Sequence, residues 1–410
     1  MSTYTPDNNP TYQDNNITAL KDTDPVSATK TFNPLILRLI NNTRAAWQNA
    51  KRPATITIAA HNSRGKNADF TCTGTNDQAI INNAIDSLPA TGGKILLLDG
   101  EFNLSRDAGG GSIRILNRNN ITIEGMGACT VLNRKFSESS YNFGLITVRG
   151  QSDNDITYGN TIKNLRINGN LSTFGGSLNF GIEIMRSAGN TVSGVIIEAE
   201  QTAIHLRGKE NIVTNCVFRN NDSGVIMMSN VNDANSDNKR NTVSNSTFYG
   251  NDGNGIRLEG TQYNNIVGNI CFGNNRGIHL GTSSSNNVAA NVCRGNRNAG
   301  IQLTTSRENA INGNTCEGNA GGGISLSHGS DNNAITGNMC ARNTIWVELA
   351  FGGNSENAIT GNSCAHNVTG IELKDGSNRN LIAVNNLVRN NAPLLVTGGS
   401  NNTIDGNKIN

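Results

Sequence analysis

From residue 181 onward one apolar pattern recurs along the chain. It reads Gly181-Ile-Glu-Ile184, Ala203-Ile-His-Leu206, Gly224-Val-Ile-Met227, Gly255-Ile-Arg-Leu258 and Gly277-Ile-His-Leu280, then Gly300-Ile-Gln-Leu303, Gly323-Ile-Ser-Leu326, Trp346-Val-Glu-Leu349 and Gly370-Ile-Glu-Leu373. The steps are 21 to 24 residues, except one of 31 where Asn230 to Arg240 is inserted. A second register lies between the tetrads, as in Asn265-Ile-Val-Gly-Asn-Ile-Cys271 and Asn309-Ala-Ile-Asn-Gly-Asn-Thr-Cys316. Alternation over three to five residues predicts strands, and no helical period is present in 155–410. A unit of about 23 residues with three short strands cannot bury an apolar face alone. Stacking solves this by placing equal positions one strand spacing apart, roughly 4.8 Å. The pattern therefore predicts an all-β chain, a right-handed single-stranded parallel β-helix with coils over 92–410. A leucine-rich repeat would need more Leu and a helical return, and propeller blades would need about 40 residues and aromatic marks.

Composition fits this picture. The 410 residues include 46 Gly and 70 Asn, and only 16% are charged. Asn tolerates the left-handed backbone region and bonds its side chain along a turn, so its recurrence predicts Asn ladders at the bends. Of eight cysteines, Cys271, Cys293, Cys316, Cys340 and Cys364 follow the repeat and predict an inward stack rather than disulfides. No CxxC pair exists, and neither a metal site nor a cofactor is expected. A net charge of +2 argues against charge-driven disorder and against nucleic acid as partner. No run of about 18 apolar residues exists, so no membrane insertion is expected. The first residues lack the basic and apolar regions of a signal peptide.

The first hundred residues differ. Residues 1–54 are expected to be an arm and helix that attach to a particle or cap the stack. Thr31 to Trp47 has the pattern of a helix with Asn33 as N-cap and Pro34 in the first turn. Thr55-Ile-Thr-Ile-Ala59 alternates as a strand, and a helix is expected over 76–88.

The run Asn76-Asp77-Gln78-Ala79-Ile80, Ala84-Ile85-Asp86, Gly92-Gly93-Lys94-Ile95-Leu96-Leu97-Leu98 and Gly100-Glu101-Phe102 resembles the opening of pectate-lyase-like superfamily β-helices. The segment Asn120 to Leu132 looks like the next element of that family, and the likeness covers residues 55–410. It implies a helix capping the first coil. Function is not implied, because the superfamily holds lyases, hydrolases, epimerases and non-enzymatic adhesins. The Asn-Thr-Asp, Asp-Asp, Gly-His-Gly and Arg-Ile-Lys motifs of polygalacturonase-like hydrolases are absent, as are the calcium and arginine signature of pectate lyases and the Asp-Pro-His-Asp of alginate epimerases. The coils are also similar to periplasmic carbohydrate-binding repeat proteins, which normally follow a signal peptide. Together with the N-terminal segment, the β-helix opening resembles phage or prophage tail spikes and fibres. That likeness implies a homotrimer on a phage-tail-like particle. It would attach to a tail or baseplate protein through residues 1–54 and contact host-surface polysaccharide extracellularly. The last residues, Ser400 to Asn410, end in register with the repeat, which is expected to favour a partner or oligomer contact there.

The residue between the two apolar members of each tetrad should point outward. Read as columns, the richest patch is Glu183, His205, Arg207, Arg257, Glu259 and His279, the candidates for glycan binding, interrupted by Ile226 and Met228. Glu259 is the catalytic candidate, with Asp233 or Asp237 of the insertion as a possible second acid, since glycoside hydrolysis needs two carboxyls. Tyr249, Tyr263, Phe272, Trp346 and Phe351 are the aromatic candidates for sugar stacking. Three readings follow: a glycan-binding spike, a polysaccharide lyase or glycoside hydrolase on the same fold, and a purely structural spike.

Overall fold

Three short strands per turn of chain, each continued by its copy in the next turn, build the molecule. The computed structural model describes residues 54–409 apart from 66, 138–142, 153, 176–178, 230–237, 351–352 and 375. Residues 1–53 of the arm and helix expected over 1–54 lie outside the described residues, as do Asp233, Asp237 and Phe351. Among the described residues the strands form three parallel sheets of 15, 11 and 13 strands, here the first, second and third sheets. One coil runs Asn265–Val267 in the first sheet, Ile270–Phe272 in the second and Arg276–Gly281 in the third. The architecture is a right-handed parallel β-helix.

The register is the one that the tetrads predict. Ile256 pairs with Ile278, Ile278 with Ile301, Ile301 with Ile324 and Ile324 with Val347, so β-branched residues form an inward column. In the second sheet Cys271, Cys293, Cys316, Cys340 and Cys364 pair in turn and are fully buried, without disulfides. A column of glycines makes room for them: a Cβ on Gly277 would lie 3.0 Å from Cys293 Sγ. Trp346 stands in that glycine column and is fully buried, which corrects its expected place among the exposed aromatics. It fits inward because the coils on either side carry Gly323 and Gly370 at the same position.

Bends are held by three Asn columns. In one, Asn291, Asn314, Asn338, Asn362 and Asn385 each accept, through Oδ1, the backbone N–H and side-chain N–H of the preceding member. Each Nδ2 also donates to a carbonyl of the coil before, as Asn314 does to Val288 O at 2.9 Å. The buried turn amides are thereby satisfied without water.

The helix Asp77–Ser87, expected over 76–88, closes one end. Asp77 accepts from the N–H of Asn103 (2.8 Å), Gln78 from Ser105 (2.9 Å) and Asn82 from Arg114 (3.0 Å), so its side chains occupy strand donors. Arg118 donates to the carbonyls of Ile85, Leu88 and Pro89, which puts a cation at the helix C-terminus.

Candidate functional site

The outer face of the third sheet carries the column that the sequence singled out. In register it runs Thr147, Glu183, His205, Ile226, Arg257, His279, Gln302, Ser325, Glu348 and Glu372. Its first part is not a solvated face. Glu183 is 0% exposed and His205 2%, because the Phe180 ring lies 4.5 Å from the His205 ring and Arg207 reaches across to Glu183. Glu183 Oε1 accepts from Arg207 Nη2 at 2.9 Å and lies 3.5 Å from His205 Nδ1. Glu183, His205 and Arg207 are thus brought together, and Phe180 is a member that the column pattern did not indicate.

Ile226 and Met228 separate this trio from Arg257, Glu259 and His279, in the order expected. Arg257 Nη2 donates to Glu259 Oε2 at 2.9 Å. The neighbours of Glu259 in register are Met228 and Gly281, so no second carboxyl stands beside it in the adjacent strands. His279 Nε2 lies 3.2 Å from Thr304 Oγ1. Burial, aided by the Arg276 and Arg257 charges, pushes the His279 pKa down to about 4, so the ring is neutral near pH 7. Arg276, which also donates to Gln302, was not among the expected residues. Further along, Glu348 and Glu372 are partners in register, and Lys374 Nζ lies 3.5 Å from the first and 3.0 Å from the second.

A second polar surface lies on the outer face of the second sheet, flanking the inward column that runs Ile167, Ile197, Phe218, Phe248, Cys271 and Cys293. Arg166 and Arg219 flank Glu198, and Arg219 Nη1 donates to Tyr249 Oη at 3.0 Å. The Tyr249 and Phe272 rings stack at 5.0 Å, and the Arg294 guanidinium lies 5.4 Å from the Phe272 centroid. Two aromatic candidates therefore sit together here, away from the third sheet, with both faces of Phe272 covered. Tyr263 is exposed in a turn.

A right-handed parallel β-helix with polar outer columns is the class of protein that these observations define. The family described as Periplasmic copper-binding protein (NosD) matches residues 175–354 and 266–410, and the chain belongs to it. No curated protein matches the chain. Among solved structures, the A-module of mannuronan C-5 epimerase AlgE6 from Azotobacter vinelandii is similar with a TM-score of 0.70 and 17% identity, over 82% of this chain and 96% of that one. DFA-IIIase from Arthrobacter chlorophenolicus A6, solved with DFA-III, has a TM-score of 0.52 and 12% identity, over 80% and 83% of the two chains. At these identities the likeness is one of fold.

The copper in the family's description can be tested against the residues. Among the described residues no three His, Cys, Asp or Glu side chains stand together as a metal-binding group. In the dry interior, burial pushes the Cys340 and Cys364 thiols up, away from the thiolate that metal ligation needs, while bonds from Cys293 and Cys340 pull the Cys316 thiol down. The described residues do not fit a copper centre.

Proposed function

We propose that the chain binds a surface polysaccharide along its coils without cleaving it, as the receptor-binding spike or fibre of a phage-tail-type particle. The observation that carries this reading is that the third-sheet carboxylates are tied to cations: Glu183 to Arg207, Glu259 to Arg257, and Glu348 and Glu372 to Lys374. Neutralised acids in a rigid column suit repeated contacts with a polymer. Glu259 also lacks the second carboxyl in the adjacent strands that glycoside hydrolysis would use. Residues 1–54 would attach to the tail or baseplate, and three copies would assemble. The test incubates the full chain with host capsule or lipopolysaccharide and measures binding, reducing ends and unsaturated-uronate absorbance. Binding without product is expected; product would overturn the reading. Sedimentation as a monomer would remove the trimeric spike.

A second reading, a polysaccharide-acting enzyme, draws on one feature. Glu348 and Glu372 occupy adjacent coils in register, and paired carboxyls are what glycoside hydrolysis uses. One of the similar structures is also that of a mannuronan C-5 epimerase. A product whose release survives Glu259→Gln and is lost in Glu372→Gln would favour it.

A further inference from the structure

A shallow groove of about 460 Å³ runs along the corner between the second and third sheets, lined by Phe272, Gly273, Arg294, Gly295, Glu317, Gly318 and Arg342. Its floor is a turn position occupied by Gly273, Gly295 and Gly318 in successive coils, all in the left-handed conformation. A Cβ on Gly295 or Gly318 would meet nothing within 4 Å, so the trough is open space left by absent side chains. The same position then becomes Arg342, His366 and Arg389, three exposed basic residues in successive coils.

The charges are unequal. Arg342 is tied to Glu317 at the surface, a pairing of small worth in water. Among the described residues Arg294 makes no ion pair; its guanidinium rests against the Phe272 ring. Beyond the trough, Arg297 is neutralised by Asp252 at 3.3 Å. One carboxylate thus stands among Arg294, Arg342, His366 and Arg389, and the guanidiniums present planar forks that match carboxylate oxygens. Their spacing is set by the coils, roughly 4.8 Å for each one traversed.

We propose that this corner groove binds the carboxylate groups of an acidic polysaccharide laid along the solenoid axis, with Arg294 and Arg342 as the contacting cations. The ligand class rests on the polysaccharide reading above, but the site is a different face from the third-sheet column. Glu317 then acts as a competitor that holds Arg342 until a ligand carboxylate displaces it.

The test measures binding of the full chain to sodium polygalacturonate, with dextran as the uncharged control and dextran sulfate as a second anion. Melting temperature and circular dichroism of each variant confirm folding. Polygalacturonate is expected to bind more weakly as salt rises. Arg294→Ala and Arg342→Ala should each weaken it about three- to fivefold at low salt, and the double variant about tenfold. Glu317→Gln should strengthen it about twofold by releasing Arg342. Gly295→Asn should weaken it by filling the trough, in a left-handed turn that Asn220 already occupies elsewhere. If the double variant binds like the wild type while Arg257→Ala weakens binding, this groove is overturned and the third-sheet reading stands. Absence of polygalacturonate binding at low salt overturns the groove, whereas absence of binding to any host glycan overturns the broader reading. Equal, equally variant-sensitive binding of dextran sulfate overturns the assignment to carboxylate.

Discussion

The coils before residue 205 and those after residue 241 share Asn rungs but differ in charge: the earlier ones also bury an ion pair. In the later coils, equivalent amides repeat: each Asn satisfies the next, and the same neutral group recurs at each bend. In the earlier coils the Asn rungs are joined by a charged pair buried in the interior. Arg134 and Glu200 are both fully buried, with Arg134 Nε 3.0 Å from Glu200 Oε1 and Arg134 Nη2 2.6 Å from Phe180 O. Burial pushes the Glu200 carboxyl up while Arg134 pulls it down. A repeated neutral bond spreads its contribution over many rungs, whereas a buried ion pair concentrates risk at one place.

This contrast can be broken at several points. The largest effect is expected from Glu200→Ala, which leaves Arg134 charged and buried and should cost about 4 kcal/mol in denaturant unfolding. Replacing both, Arg134→Met with Glu200→Leu, should restore most of that; failure to do so would mean that the pair has a role beyond mutual neutralisation. Asn314→Ala comes next, at about 3 kcal/mol, since it removes two acceptances from Asn291 and donations to Val288 and Asn338. A cost equal to or above that of Glu200→Ala would reverse the comparison. A smaller effect is expected from pH. The folded pKa of His279 is about 4 against an ordinary 6.5, so the unfolded chain binds the extra proton first. His279 should therefore cost the fold nothing above pH 6.5, and stability should fall by about 2 kcal/mol as pH drops from 6.5 toward 4. His279→Gln should remove that slope from thermal melts, and Gln302 already stands in the same column one coil on. Cys316→Ala should cost least, about 1 kcal/mol, because the thiol is one packing group among five stacked ones.

How much of this could be read from the residues depended on whether a property repeats. The pairing of Glu183 with His205 and of Arg257 with His279 follows from aligning tetrads, because stacking makes equal positions neighbours. The thiol column and the Asn bends were legible for the same reason. Exposure was not: whether Glu183 is wet depends on Phe180 and Arg207, whose side chains cross from other columns. Trp346 reads as an interruption of the glycine column, and only the emptiness at Gly323 and Gly370 says which way it turns. The corner groove has a signal of its own, in the two residues after Cys271, Cys293 and Cys316: Phe272-Gly273, Arg294-Gly295 and Glu317-Gly318.

The Asn column has a consequence for how such a chain can change over generations. Asn190 donates to Asn211 across 21 residues at 2.8 Å, and Asn211 donates to Asn241 across 30 at 3.0 Å, although the second interval contains the inserted segment. The closing bond is nearly the same whatever the chain does between. Whole coils can therefore be duplicated or lost as countable modules, and new loops can be grafted between rungs, while the frame that holds them keeps its pitch.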